Sequence, residues 1–394
     1  MSVPGFSVVR KVIAAMLIVA ALIPPLASAQ QSEPLLPLLV DGVTVVSPDL
    51  EGPRGFLVSP DGQLYVALAG SGGSNRGSGL LPESPLWGGL TGSVVLVNEG
   101  CVTTLATALP SVASAMERTW GVADLAVVGD QLYALVSGGG AAHGNRSEPN
   151  GIYHVASDST VTLIADLSAW QRANPVAVPP RLDRVPDGMP FSMANVDGDL
   201  WVTERHHGQL IRVGIDGTIS RMVDFSSTGL VPAGITPSPA GGAYVAIVGA
   251  PPYPADTSKI VSVTPDGAVS DVWTGLTAAI DVAVGSDGTL YALERGVPQS
   301  LVPPYLASQS GRIVRQIGPD ASELVARDLG APSALEIGSD GGIYVSLSAI
   351  DLPHQPGTII RIDPALEADV TIPAGPWESP ACIEEEDSLP ATSP

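Results

Sequence analysis

Six times along the chain, a tight turn opens a short strand with an aromatic residue near its centre. The copies read PDGQLYVAL at 60–68, VGDQLYALV at 128–136, VDGDLWVTE at 196–204, PAGGAYVAI at 239–247, SDGTLYALE at 286–294 and SDGGIYVSL at 339–347. Asp-Gly between apolar runs is a hairpin signal, because glycine takes the positive-φ corner that other residues resist. Each copy has a companion strand downstream: SVVLV from Ser93, GIYHV from Gly151, GQLIRV from Gly208, KIVSV from Lys259, GRIVRQI from Gly311 and GTIIRI from Gly357. Five companions are followed by a third apolar run. One such unit is a small antiparallel sheet with an exposed apolar face, so it needs to stack on its own copies.

The central aromatics, Tyr65, Tyr133, Trp201, Tyr244, Tyr291 and Tyr344, are spaced by 68, 68, 43, 47 and 53 residues. Units of that size suit four-stranded blades, whereas a β-helix needs shorter coils and a sandwich does not repeat one motif six times. The expected fold is all-β, a six-bladed β-propeller of four-stranded blades. The sixth unit lacks an outer strand, since Asp363-Pro364 interrupts it after Ile362. Residues 41–46, ahead of Leu50-Glu51-Gly52-Pro53, match the missing strand. The ring is therefore expected to be closed by the N-terminal strand, which removes edges open to aggregation. Residues 370–372 are the alternative for that slot.

Let the strands of a blade be a to d from the channel outward. The a–b and c–d turns then share one face, and the b–c loops and blade-to-blade links share the other. The a–b turns are tight. The b–c loops are long, at 70–92, 137–150, 249–258, 295–310 and 348–356, and so is the link 166–190. That link opens with a helical turn stopped before Pro175. Binding is expected on the long-loop face, because decorated loops on a rigid scaffold are where it usually sits.

The starts of strands a and the ends of strands b meet on that face. The ligand-binding residues expected there are Arg54, Trp120, Asp124, Asp187, Glu204, Asp281, Glu294 and Arg295. Carboxylates among arginines either hold a hard cation such as calcium or pair internally to orient neighbouring blades. His206-His207 invites a zinc reading, but adjacent histidines on an extended segment point opposite ways and share a metal poorly. His143, His154 and His354 are scattered singly. Trp87, Trp170 and Tyr253 either stack on an apolar ligand or pack beneath their loops. Asn145-Arg146-Ser147 is a glycosylation sequon by pattern. No Gly-x-Ser-x-Gly elbow or phosphate-gripping loop is present.

Arg10 and Lys11, an apolar run over 12–23 and Ala27-Ser28-Ala29 read as a secretory signal peptide over 1–29, cut after Ala29; a retained anchor is the alternative. A linker (30–35), the propeller (36–375) and an acidic, proline-rich disordered tail (376–394) follow. Taking Arg10 and Lys11 from 18 basic and 40 acidic side chains leaves 16 and 40, a charge of −24. Such a surface repels phosphate backbones, which excludes nucleic acid as a partner. After cleavage no membrane span remains, and the chain reads as a secreted or periplasmic monomer. Cys101 and Cys382 either form a disulfide, stapling the tail to the ring, or stay as two unpaired thiols.

The PDGxLYVA-type strands paired with GxIxRV-type strands resemble the NHL-repeat and gluconolactonase-like propellers. More narrowly, the layout resembles the ScyD/ScyE family of exported bacterial proteins. The residues carrying that likeness are Gly52-Pro53-Arg54-Gly55, Asp166-Leu167 with Asn174-Pro175, Val231-Pro232-Ala233-Gly234 and Ala279-Ile280-Asp281-Val282. The resemblance implies an exported, accessory propeller that binds a small apolar molecule or a protein on its long-loop face. Val185-Pro186-Asp187-Gly188 and Glu51-Gly52-Pro53 are similar to metal-binding segments of gluconolactonases, which implies a calcium-dependent lactonase as the alternative. The asparagine ligands of that family have no counterpart in the contexts of Asn174 or Asn195.

Overall fold

The computed structural model describes residues 40–79, 85–114, 119–347, 356–366, 369–375, 377 and 382. The expected leader and linker, most of the tail, most of the 348–356 loop and His354 lie outside the described residues.

Each Asp-Gly corner folds as its sequence demands. In the third unit Asp197 and Gly198 both have positive φ, 53° and 91°, the pattern of a two-residue hairpin loop. A Cβ on Gly198 would meet open space. Backbone conformation alone therefore reserves that position for glycine.

The hairpins build six antiparallel sheets. Blade 1 is Pro53–Val58, Leu64–Leu68, Leu86–Asn98 and Cys101–Ser114. Blade 2 is Val122–Val128, Gln131–Val136, Gly151–Val155 and Val161–Asp166, and blade 3 is Pro190–Val196, Asp199–Glu204, Gln209–Val213 and Ile219–Asp224. Blade 4 is Pro232–Pro237, Ala243–Ile247, Ser258–Val263 and Val269–Leu276, and blade 5 is Ala279–Val284, Leu290–Glu294, Gly311–Gly318 and Ala321–Leu329. Blade 6 is Pro332–Ile337, Ile343–Leu347 and Gly357–Ile362, with Val43–Leu50 as its outer strand. The innermost strands neighbour one another in a ring from blade 1 to blade 6 and back. The molecule is a six-bladed β-propeller.

Closure comes from the N-terminal strand, with Val43 opposite Ile362 and Val45 opposite Ile360. Val370–Thr371, the alternative, instead runs parallel to the outer strand of blade 5 as a fifth strand. The turn at Asp363, whose amide donates to Gly42 O, carries the chain off blade 6 first.

Apolar side chains wedge the blades together. Trp201 packs with Phe225, Ile235 and Val245 between blades 3 and 4. Trp273 is fully buried in the cluster spanning blades 4 to 6, which includes Val43 and Val45 of the closing strand. Burial stabilises the ring by roughly 1.5–3 kcal/mol for each such large side chain.

One loop expectation changes and another is met. Part of the 70–92 segment is strand: the outer strands of blade 1 continue as a ribbon, pairing Leu86 with Ser114 and Gly88 with Val112. Gly88 and Gly89 hide its alternation. A Cβ there would meet His143 O at 2.4 Å and Gly72 O at 2.3 Å, so close backbone approach replaces side-chain pattern. The 166–190 link does open with a helix, Leu167–Ala173, capped by Asp166 accepting from the Ala169 amide at 2.7 Å. Cys101 and Cys382 form a disulfide. Among the described residues no helix is long and apolar enough to cross a membrane.

Candidate functional site

Every innermost strand is bulged at its start, on the long-loop face. Its register against the second strand shifts between Pro53 and Phe56, Val122 and Asp124, Pro190 and Ser192, Pro232 and Ile235, Ala279 and Asp281, and Pro332 and Ala334. A bulge re-aims the side chains around it. Arg54, Phe191, Ile280 and Ser333, at four of the bulges, line a mouth cavity of about 280 Å3. Trp120, Arg205, His206, Tyr253 and Arg295 help complete its wall. Asp124, Ser192, Asp281 and Glu336 line the channel below, about 310 Å3. Arg54, Phe191 and Ser333 line both and mark the divide.

The mouth is cationic. Burial pushes the Arg54 guanidinium down to about 10, and the charges of Arg295 and Arg205 push the same way. Three guanidinium groups thus share one cavity in a chain of net charge −22. The Arg205 guanidinium also sits 4.7 Å from the Phe191 ring centroid.

The channel is acidic, and its carboxyls bind backbone. Asp124 of blade 2 accepts from the Ser192 hydroxyl and the Met193 amide of blade 3, both at 2.7 Å. Asp281 of blade 5 accepts from the Leu335 amide of blade 6 at 2.8 Å. Each carboxyl lies against a glycine of the preceding blade: a Cβ on Gly55 would meet Asp124 Oδ1 at 2.0 Å, and one on Gly234 would meet Asp281 Oδ1 at 1.9 Å. The same three-blade device therefore occurs twice, half a ring apart. Glu336 of blade 6 adds a third staple, accepting from the Val58 amide of blade 1 at 3.0 Å.

Burial raises all three. Asp124 reaches about 6, because hydrogen bonds from Ser192, Met193 and Leu125 offset part of the desolvation. Asp281 reaches about 8 through burial, with the charge of Asp124 adding to it. Ala334 stands where the twofold device would place the counterpart of Ser192, so Asp281 lacks that hydroxyl donor. Glu336 reaches about 8 by burial plus the charges of Asp124 and Asp281.

Of the eight expected ligand-binding residues, Arg54, Trp120 and Arg295 line the mouth, and Asp124 and Asp281 line the channel. Asp187, Glu204 and Glu294 line neither. Asp187 is buried, accepting from the Ala142 amide at 2.8 Å and pairing with Arg172, and it organises a loop of blade 2. Glu204 accepts from the amides of Met189, His206 and His207 at 2.8, 2.8 and 3.0 Å. Burial works to raise its pKa, but His207 and the Met189 amide outweigh it and bring it to about 2. Glu294 accepts from the Thr277 amide at 2.7 Å and pairs with Arg312 at 2.5 Å. Both glutamates fasten the link that enters their own blade. Glu51 is exposed, so it and Asp187 do not meet in the channel as the gluconolactonase likeness implied.

The opposed-histidine expectation fails. Residues 205–208 form a turn, not an extended segment. His206 Nε2 and His207 Nε2 both lie 3.0 Å from the Asp183 carboxylate, on separate oxygens. Arg205, Glu336 and Asp183 escaped the sequence reading. A lone glutamate in the apolar strand Pro332–Ile337 was a usable signal for Glu336. Asp183 sits in a link, and only the folded chain brings it to the histidines. Asn145 of the sequon is buried, its amide donating to Ser111 O and Gly138 O at 2.9 and 2.7 Å. His143 is buried, with Nδ1 2.5 Å from Gly139 O.

No protein-family profile matches the sequence, and no curated protein matches it. Solved structures do. A luciferin-regenerating enzyme superposes with a TM-score of 0.52 at 9% identity, over 85% of this chain and 98% of that one. Virginiamycin B lyase from Staphylococcus aureus aligns at TM-score 0.46 and 15% identity, over 82% of this chain and 98% of that one. A structure assigned to the gluconolactonase family aligns at 0.47 and 12%, over 82% and 91%. At these identities the first likeness speaks for the fold alone, and the chain stands as a six-bladed β-propeller whose open mouth is ringed by arginine and aromatic side chains.

Proposed function

We propose that this chain is an exported binding propeller of the ScyD/ScyE type that holds a small anionic molecule with an apolar body in its mouth cavity. The observation carrying the reading is that Arg54, Arg205 and Arg295 surround one cavity beside Trp120, Phe191 and Tyr253. Guanidinium groups recognise carboxylates in a fork geometry, and aromatic faces take an apolar body. The expected apolar ligand is thereby refined to one that also carries negative charge. The Cys101–Cys382 disulfide supports export, since such bonds persist in oxidising compartments. Gluconolactonase-type hydrolysis has only the shared fold behind it.

The test is a thermal-shift panel of aromatic carboxylates, such as indole-3-acetate and 4-phenylbutyrate, each matched with its neutral amide. Carboxylates are expected to raise the melting temperature and their amides to leave it unchanged. Equal shifts for both members of every pair, or none for either, would remove the anionic-ligand reading.

A further inference from the structure

We propose that Asp183, His206 and His207 form a binding site for a borderline divalent metal ion of the zinc class, set in the wall of the mouth cavity. The three side chains each offer a ligand atom, and these atoms lie within 4.8 Å of one another. The two Nε2 atoms face opposite oxygens of one carboxylate at 3.0 Å each. Ligand atoms bound at about 2.0–2.1 Å to a tetrahedral zinc ion lie a little over 3 Å apart, so small movements would seat the ion.

The residues behind the ligands are already arranged for this. Glu204, fully buried, accepts from the amides of His206 and His207 and so fixes the turn that puts both rings on one side. His207 Nδ1 lies 3.1 Å from Glu204 Oε2 and 3.0 Å from Gln171 Oε1. Donating Nδ1–H to these acceptors leaves Nε2 as the ring's metal-ligating nitrogen. That carboxylate–histidine arrangement is the usual support behind a metal-bound imidazole. The rings stand edge to face, 4.7 Å between centroids, which keeps them from collapsing onto each other.

The site is accessible. Asp183 and His207 line a side pocket of about 160 Å3, and His206 lines the mouth cavity, so an ion has a route from solvent. Three protein ligands leave one tetrahedral position for water or for a group of a bound molecule. Two nitrogens and one carboxylate select a borderline ion over calcium, which takes six or more oxygens. The alternative is a purely structural cluster in which both imidazoles simply hydrogen-bond to Asp183.

The experiment uses full-length mature protein without a polyhistidine tag, stripped with a strong chelator and retitrated with zinc or cobalt(II) by calorimetry, with elemental analysis of the product. One equivalent of zinc is expected, with a cobalt(II) absorption spectrum of the tetrahedral type, and no comparable uptake of calcium. His206→Gln at a half-buried position and Asp183→Asn at an exposed one are expected to weaken zinc at least tenfold while retaining the wild-type circular dichroism spectrum. His207→Gln should do the same; the first two variants decide the matter if it fails to fold. Absence of stoichiometric zinc in the wild type, or unchanged affinity in both His206→Gln and Asp183→Asn, would overturn the proposal.

Discussion

Replacing Asp281 by asparagine probes the channel most cleanly. The Asp281 carboxyl accepts from the Val282 and Leu335 amides, and burial with the nearby Asp124 charge moves its pKa from 3.8 to about 8. Between those values the folded chain keeps a proton that the unfolded chain has released. Folded protein then binds more protons than unfolded, so stability falls as pH rises, by about 1.4 kcal/mol per pH unit for this one group. The contribution is fully present below about pH 4 and is lost by about pH 8. From pH 5 to pH 7 the loss comes to about 3 kcal/mol. Asparagine cannot titrate, and whatever it changes in hydrogen bonding is constant with pH and cancels from the slope. It also removes one of the charges that raise Glu336, flattening the profile further. Urea denaturation of wild type and Asp281→Asn at about pH 5, 6, 7 and 8 measures this, with stability read by linear extrapolation. The wild type is expected to lose about 3 kcal/mol more than the variant between pH 5 and pH 7. Parallel profiles for the two proteins would refute the claim that the channel carboxyls hold their protons in the fold.

Two further outcomes follow from the staples. Gly234→Ala would place its Cβ 1.9 Å from Asp281 Oδ1 and 2.6 Å from the Asp281 Cα. Backbone cannot step aside there, so a loss of about 1–3 kcal/mol is expected in urea melts; Gly229→Ala, with open space at its Cβ but positive φ, should lose about 1 kcal/mol. The double substitution Cys101→Ser with Cys382→Ser releases a cross-link spanning 281 positions. Chain entropy sets its effect at no more than about 5.6 kcal/mol, measured by denaturation of oxidised wild type against the variant.

The architecture was legible because its signals are local. A tight turn, Asp-Gly in four of the copies, an alternating strand and one aromatic per copy repeat six times, and each repeat reads without knowledge of the others. Closure by Val43–Leu50 was legible for the same reason: the sixth unit lacked a strand, and the first residues supplied a matching one. The blade 1 ribbon was not, because Gly88 and Gly89 replace side-chain alternation with backbone contact. The site was only half visible. Charged residues at strand ends could be placed on one face, but whether each points to the cavity or fastens its own link depends on the bulges. Glu204 and Glu294 turned out to hold backbone amides, whereas Arg54 and Arg295 face the mouth. Arg205 lies between Glu204 and His206, and the turn over 205–208 that delivers it to the cavity leaves no periodic trace.

Recognition of negative charge by the guanidinium groups at the mouth is the property on which binding here depends. Calorimetric titration of an aromatic carboxylate and its matched amide into wild type and Arg295→Met measures it. The carboxylate is expected to bind wild type about ten to one hundred times more tightly than the amide, the range of a single charge-assisted hydrogen bond, and Arg295→Met should erase most of that difference while leaving amide binding unchanged. Indifference of the wild type to the charge, or a preference that survives in Arg295→Met, would contradict the account.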